Sequence, residues 1–256
     1  MTRYRVLVEF DGGGYCGWQS QRGAASVQDA MARAIERMSG EFTRPTAAGR
    51  TDAGVHAVAL PAHFDLAGER RAAEVQGALN HHLWTAGEKI AVHGAAQVAD
   101  DFHARRDAKQ RRYAYRILVA DAPSSLEAGR VLHLRRALDV GAMSRAAAIL
   151  EGEHDFSSFR ASGCQADSAA RVLESLAVKE TAAGLLLREG ATEIVVRAAA
   201  PSFLYNQVRI IVGTLLTVGL GRMSPDDVAV VLAARDRTKA GPTAPPHGLY
   251  FLSCDY

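Results

Sequence analysis

One acidic residue lies in a glycine-rich segment that has the composition of a reactive loop. Asp52 lies between Gly49 and Gly54. Arg50 comes shortly before it, and His56 shortly after it. Glycines let a ligand approach the backbone closely, and a neighbouring arginine favours the ionised form of a carboxylate. Taken by itself, however, an Asp near glycines is more often a turn residue or a helix cap. A chemical role for Asp52 therefore depends on the rest of the chain.

A second candidate is a basic segment that contains two tyrosines. Residues 105–116 hold six Lys and Arg side chains and one acid, and they include Arg105, Arg111, Arg112 and Tyr113. Clustered cations neutralise phosphates, and an aromatic ring among them can stack on an unpaired base. The alternative is a solvated strand edge, where Lys and Arg discourage pairing between sheets. The pattern alone favours neither interpretation.

A single arginine interrupts an apolar segment near the C-terminal end. Arg209 lies within residues 203–213, which otherwise read as a core helix. A buried guanidinium normally needs an anionic partner. Asp52 is a candidate for that partner.

A glycine pattern, Gly12-x-Gly14-x-x-Gly17, matches the spacing of a dinucleotide-binding fingerprint. In that fingerprint a helix opens on the motif, so that its N-terminus meets the pyrophosphate. Here the next helix is predicted to begin only near Val27, and no acid ends the second strand to hold a ribose hydroxyl. We therefore favour a flexible loop, or a loop that meets a sugar–phosphate backbone, over a nicotinamide-cofactor site.

The histidines and cysteines do not predict a metal site. The 9 histidines are scattered, and His56 and His63 straddle a strand rather than sharing one helical face. Cys16, Cys164 and Cys254 form no C-x-x-C pair. We expect no bound metal, and we expect thiols that are buried or free in a reducing compartment.

The composition of the whole chain limits these interpretations. Its 256 residues are 48% hydrophobic and 23% charged, which is typical of a globular protein with a substantial core. The net charge is only +2, so an RNA or DNA surface must be a local concentration of basic residues. No signal peptide is recognisable, and no apolar run approaches the ~20 residues of a membrane span. We expect a cytoplasmic protein.

The first part of the chain predicts a recurrent order of elements. Ser26 as N-cap and Gly40 as terminator bound the first helix. The order is strand, helix, strand, strand, helix, strand, which is that of the split-βαβ or ferredoxin-like unit. The predicted strands are 4–10, 42–48, 58–66 and 89–98, and the predicted helices are 27–39 and 70–83.

The second part repeats that order with additions. Tyr113, Tyr115 and Ile117 share one face of a strand because strand side chains alternate. Asp139 is a predicted helix cap, and Ser224 is a predicted start of the last helix. The predicted strands are 111–119, 131–134, 171–180, 185–188, 193–199 and 249–252, and the two longer helices are 140–150 and 204–219.

The fold class that follows is α+β, with two ferredoxin-like halves. We place the joint near Phe102–Lys109, which gives residues 1–104 and residues 105–256. The first half then carries the Asp52 loop, and the second half carries additional helices.

Several short segments, spread in one order over nearly the whole chain, also carry a family pattern. The run G-R-T-D-A-G-V-H around Asp52 is highly specific. The segments are Gly14–Gln19, Ala48–His56, Asp101–Arg105, Arg112-Tyr113-x-Tyr115, His154–Arg160, Val208–Gly213 and Gly248–Tyr250. Together they resemble the TruA family of tRNA pseudouridine synthases.

This resemblance implies a role for each candidate residue. Asp52 would be the catalytic nucleophile, Tyr113 the ring against the target uracil, and Arg50 and Arg209 the charge partners of Asp52. It implies a homodimer that binds tRNA, with no cofactor or metal, and two halves that form a continuous, mostly antiparallel sheet with a central cleft. The targets would be unstacked uridines in the anticodon stem-loop, at about positions 38 to 40.

The chemistry of the conversion agrees with these residue types. Uridine must lose its N1–C1′ bond, turn, and rejoin through C5. An ionised carboxylate can attack the ring or the sugar, or take a proton, and the base must leave its stack to be reached. The sequence leaves the attacked atom open.

One departure from the family pattern lies after Asn80. The family usually has a Leu-Pro turn there, whereas this chain carries Trp84 at the place of the proline.

Two rival hypotheses about function remain. One is an RNA-binding module of the same fold without catalysis, and the other is an oxidoreductase built on the Gly12 motif.

Overall fold

The structure is a computed structural model, and it describes residues 1–181 and 190–256. The chain divides into two compact units. The first unit comprises residues 1–111 and 250–256, and the second comprises residues 112–249. The domain boundary that the sequence predicts between residues 104 and 105 stays a prediction. Among the described residues, no helix is long and apolar enough to cross a membrane.

The fold is mixed α+β with mostly antiparallel strands, as the sequence predicted. The α-helices of the described residues are α1 (Val27–Ser39), α2 (Ala72–Thr85), α3 (Val140–Leu150), α4 (Gln207–Gly219) and α5 (Asp227–Ala234). The strands are β1 (Thr2–Phe10), β2 (Thr46–Ala47), β3 (His56–Leu66), β4 (Ile90–Val98), β5 (Gln110–Val119), β6 (Leu132–Leu134), β7 (Gly152–Asp155), β8 (Ala170–Leu173), β9 (Ser175–Thr181), β10 (Thr192–Ala200) and β11 (Leu249–Asp255).

The first unit is built on three antiparallel strands in the order β4-β1-β3. Tyr4, Val6, Val8 and Phe10 alternate along β1 and are all buried, which is the period of a strand with one core face. β2 pairs with β3, and β11 pairs with β3 in parallel at Tyr250. β3 directly follows the Asp52 loop, and it is therefore held by pairing with β1, β2 and β11.

Helix α1 has the ends that its sequence predicted. The side chain of Ser26 accepts a hydrogen bond from Asp29 N, 3.1 Å away. Gly40 ends the helix with a φ of 79°, a conformation that favours glycine. The strand predicted at 42–48 is shorter than expected, because only Thr46–Ala47 pair with β3.

The second unit combines the strand order β5-β10-β9 with helices α3, α4 and α5. Asp139 caps α3, as predicted, by accepting from Ala142 N at 2.7 Å. Helix α4 begins at Gln207 rather than at residue 204, because Asn206 has a φ of 60° and breaks the helical backbone there. The strand predicted at 185–188 lies outside the described residues.

Two local features of the second unit differ from the sequence prediction. The strand predicted at 171–180 is divided into β8 and β9, and β8 forms a separate antiparallel pair with β7, a strand that the sequence did not predict. The last helix begins at Asp227 rather than at Ser224, yet Ser224 Oγ still accepts from Asp227 N at 3.2 Å. The predicted cap is thus present one turn before the regular helix.

A buried histidine of β3 predicts a pH dependence of stability. His63 Nδ1 accepts from Ala104 N at 3.2 Å, a contact that requires the ring nitrogen to be unprotonated. Burial lowers the pKa of His63, and the positive charges of Arg3 and His103 add to the effect. Just below the unfolded-state value of about 6.5, the unfolded chain therefore binds more protons than the folded chain. The free energy of unfolding should fall as the pH drops through this range.

The contribution of His63 can be isolated by comparing the wild type with His63→Gln in urea unfolding across this pH range. We expect the stability advantage of the wild type to shrink as the pH is lowered. A pH-independent difference between the two proteins would contradict the assignment.

Candidate active site

Asp52 occupies a tight turn directly before β3 in the first unit. Val55 N donates to Asp52 O at 3.1 Å, which closes the turn. Gly54 has a φ of 77°, so a residue with a side chain would be strained there. Asp52 itself is half-buried and forms an isolated bridge with Gly17. Asp52 is therefore a turn residue, which is one of the usual roles of an Asp near glycines. A second loop fixes this turn.

The second loop is the glycine-rich segment of residues 11–18. Trp18 N donates to Thr51 O at 3.2 Å, and Gly54 N donates to Tyr15 O at 3.3 Å. These two backbone hydrogen bonds lie on either side of Asp52. The turn is consequently held at both ends by one neighbouring segment.

Close backbone contact explains two of the glycines in the fingerprint-like pattern. A Cβ on Gly17 would lie 2.2 Å from Thr51 O, and a Cβ on Gly12 would lie 2.1 Å from Val55 O. No side chain fits at either position. Gly14, in contrast, has open space where its Cβ would be. The spacing that resembles a dinucleotide fingerprint thus serves to pack one loop against the Asp52 turn.

His56 fixes the end of the same turn. Its side chain is buried, and Gly12 N donates to its Nδ1 at 3.0 Å. Its ring is stacked on Tyr250, with centroids 4.8 Å apart. His56 therefore ties the Asp52 turn, the glycine-rich loop and β11 together within the first unit.

The candidate site residues Arg50, Arg105 and Arg111 of the first unit have different surroundings. Arg50 and Arg105 are exposed. Arg111 donates to Ala48 O from Nε at 3.0 Å and from Nη2 at 2.8 Å, and also to Arg105 O at 2.8 Å. Its guanidinium therefore joins the start of the Asp52 segment to the basic segment. The sequence predicted a phosphate contact for Arg111 and gave no sign of this internal role.

The remaining predicted residues lie in the second unit. Tyr113 is buried, and its ring meets Phe203 edge-on with centroids 5.2 Å apart. Arg209 donates from Nε to Ala244 O and from Nη1 to Asn206 Oδ1, each at 2.8 Å. Arg112 is half-buried at the start of this unit. The guanidinium predicted to lie among apolar residues is thus oriented by a backbone carbonyl and an amide.

A buried hydroxyl beside Asp52 supports a stability prediction. Thr51 Oγ1 is buried and has no hydrogen-bond partner among the described residues. An unsatisfied buried hydroxyl costs roughly 1–3 kcal/mol, so Thr51→Val should be as stable as the wild type or more stable. Urea unfolding of Thr51→Val and Thr51→Ser measures this directly. A clear loss of stability confined to the valine variant would show that the hydroxyl has a partner.

No group of three or more His, Cys, Asp and Glu side chains within residues 1–181 and 190–256 is arranged to hold a metal ion.

Comparison with known proteins adds independent information. Residues 146–256 match a family model described as tRNA pseudouridine synthase. A protein of Rhodospirillum rubrum named tRNA pseudouridine synthase A is 50% identical over 98% of this chain and 87% of its own length. Relatives of the same name from Rhodospirillum centenum and Rhizobium leguminosarum are 49% and 46% identical over the whole chain, covering 100% and 92% of their own lengths.

Proposed function

The chain belongs to the tRNA pseudouridine synthase A family, and we propose that it converts uridine into pseudouridine in the anticodon stem-loop of tRNA, at about positions 38 to 40. Its identity of 50% over 98% of the chain with a protein named tRNA pseudouridine synthase A makes it an isomerase that converts uridine into pseudouridine. The finer proposal concerns the position in tRNA and the residues that act. The role of Asp52 rests chiefly on its turn, which the glycine-rich loop holds at both ends, and the position in tRNA rests on the family resemblance.

We propose that Asp52 is the nucleophile. Backbone hydrogen bonds fix the turn that carries this half-buried carboxylate. This supports a role in attack, because the loop need not be rearranged during the reaction. Whichever atom Asp52 attacks, the bond that its carboxylate forms to the substrate is broken again before the product leaves, which regenerates the free carboxylate. Over the whole reaction the N1–C1′ bond is broken and a C5–C1′ bond is formed. The hydrogen of C5 is lost, and N1 gains one, so the product is an isomer of the substrate.

The family resemblance supplies the roles proposed for the other residues. Tyr113 is proposed to lie against the target uracil, and Arg50 and Arg209 are proposed to be the charge partners of Asp52. The ring of Tyr113 is held by its edge-on contact with Phe203, and the guanidinium of Arg209 is held by two hydrogen bonds. Side chains that are already ordered lose little conformational freedom when a base binds.

The remaining parts of the proposal concern architecture and partners. They are two ferredoxin-like halves with a central cleft, a homodimer, and tRNA contacts from Arg105, Arg111 and Arg112 in a cytoplasmic protein. Sedimentation of the purified protein tests the dimer.

The function is tested by incubating unmodified tRNA transcripts with the purified protein and mapping pseudouridine at single-nucleotide resolution. We expect modification in the anticodon stem-loop without an added cofactor. Binding of tRNA without any pseudouridine would favour the non-catalytic RNA-binding module instead. Modification confined to another part of the tRNA would contradict the proposed position.

A further inference from the structure

The second unit contains an open depression that the proposed catalytic residues do not occupy. Its volume is about 580 Å³. Arginines, hydroxyl side chains and a glycine line it, and no carboxylate does. The lining includes Ser157, Arg160, Ser162, Gly163, Arg237 and Thr243.

Arg160 brings a positive charge to this depression. Its side chain is half-buried, and among the described residues its guanidinium has no hydrogen-bond or ion-pair partner. Asp155, an acid of the same segment, is already engaged. It accepts from Ser157 N at 2.9 Å and from Ser157 Oγ at 2.6 Å, and it lies 3.2 Å from Arg235. Hydrogen bonds from Ser157, and then the charges of Arg235 and Arg160, lower the pKa of the Asp155 carboxyl, so this acid balances part of the charge of Arg160. The N–H donors of Arg160 remain available to an anion.

Arg237 brings a second charge in a fixed orientation. Its Nη1 donates to Gly241 O at 3.0 Å, and its Nη2 donates to Thr243 Oγ1 at 3.1 Å. These partners are neutral, so the positive charge is retained. A guanidinium has five N–H donors, and further donors remain for a ligand.

The segment that Arg237 binds is anchored on helix α4. Gly241 N donates to Thr214 Oγ1 at 2.9 Å, and Ala244 N donates to Arg209 O at 3.0 Å. Ala244 O is also the carbonyl that orients the Arg209 guanidinium. The depression thus adjoins the residues that hold Arg209 in place.

Cys164 lies at the end of the turn formed by residues 161–164, and the pKa of its thiol indicates the electrostatic potential there. Burial acts to raise its pKa, but hydrogen bonds from the backbone at Tyr205 and Ala166 and the charges of Arg160 and Arg171 lower it overall. Positive potential at this turn stabilises a negative charge placed there.

We infer that this depression binds a backbone phosphate of the RNA substrate, with Arg160 and Arg237 as its cationic ligands. Arginine suits this task because its planar fork matches two phosphate oxygens, and hydroxyls complete such contacts. The turn of Ala161–Cys164, with Gly163 at a φ of 79°, carries no side chain at that position to block an approaching phosphate. The inference rests on the proposed function, since it names a contact made by the same substrate.

The test is the salt dependence of tRNA binding by the full chain. Arg160→Gln removes one phosphate contact, so the magnitude of the negative slope of log K against log salt should decrease by about 0.7 to 1. Arg160→Lys keeps the charge and should keep the slope.

Arg197→Gln is the matched control, since Arg197 is an exposed arginine on β10 of the same unit, away from the depression. Its slope should equal that of the wild type. A wild-type slope for Arg160→Gln overturns the inference, and so does an equal loss in Arg197→Gln.

Titration with inorganic phosphate, followed through the amide resonance of Gly163, separates this inference from the proposed function. A shift that is lost in Arg160→Gln supports a phosphate site even if the wild type forms no pseudouridine. A shift combined with an unchanged slope for tRNA means that the depression takes free phosphate, which overturns the RNA assignment. Pseudouridine formation by the wild type with neither a shift nor a slope change overturns the inference and leaves the proposed function intact.

Discussion

Replacing Asp52 with Asn should reduce pseudouridine formation by at least about 10⁴-fold, the scale expected when an enzyme loses its nucleophile. An amide has nearly the shape of a carboxylate, but it carries no charge and is a poor nucleophile. The backbone contacts of Asp52, with Val55 N and with Gly17, do not involve the side chain. The turn should therefore persist, and tRNA affinity should stay within about threefold of wild type, since charge-neutralising contacts to phosphates supply most of the binding.

Single-turnover mapping of pseudouridine measures the loss, and urea unfolding shows that the variant is folded. Asp226→Asn is the matched control, because Asp226 is exposed and makes no side-chain cap hydrogen bond. The control should react at the wild-type rate. Normal turnover by Asp52→Asn would remove Asp52 from the chemistry.

The second large effect is expected from the glycine-rich loop. Gly17→Ala would place a Cβ 2.2 Å from Thr51 O, so the Asp52 turn and the loop would have to separate. Gly17 also has a φ of 102°, which strains any residue with a side chain. We expect a loss of roughly 2–5 kcal/mol from backbone strain and steric overlap together. Turnover should fall about 100-fold, because a displacement of about 1 Å in a catalytic group has that effect.

Gly14→Ala separates these two causes. Gly14 has nearly the same φ, 97°, but nothing lies within 4 Å of the position its Cβ would take. This variant should show only the strain, about 1–3 kcal/mol, with turnover close to that of the wild type. Equal losses of stability and turnover in the two variants would show that the contact with Thr51 does not matter. Urea unfolding and single-turnover rates give both quantities.

The sequence by itself determined the features that depend on neighbouring residues along the chain. The cap at Ser26 and the terminator at Gly40 were predicted because capping uses side chains and backbone groups only a few residues apart. The same holds for Asp139 at the start of α3. The β-branched and aromatic residues of the segment 4–10 predicted the strand β1. The run around Asp52, together with the other short segments in the same order, indicated the family, because so specific a set of residue types scarcely arises by chance.

Only the tertiary structure decided how distant segments meet. The spacing of Gly12 and Gly17 fits several kinds of loop, and its purpose became clear only where their backbones touch Val55 and Thr51. Arg111 resembled a surface cation until its guanidinium was found to hold Ala48 O. Such contacts join residues about 34 to 63 positions apart in the chain. Periodicity and capping carry no information at that range, because which backbones approach one another is set by the packing of whole strands and helices.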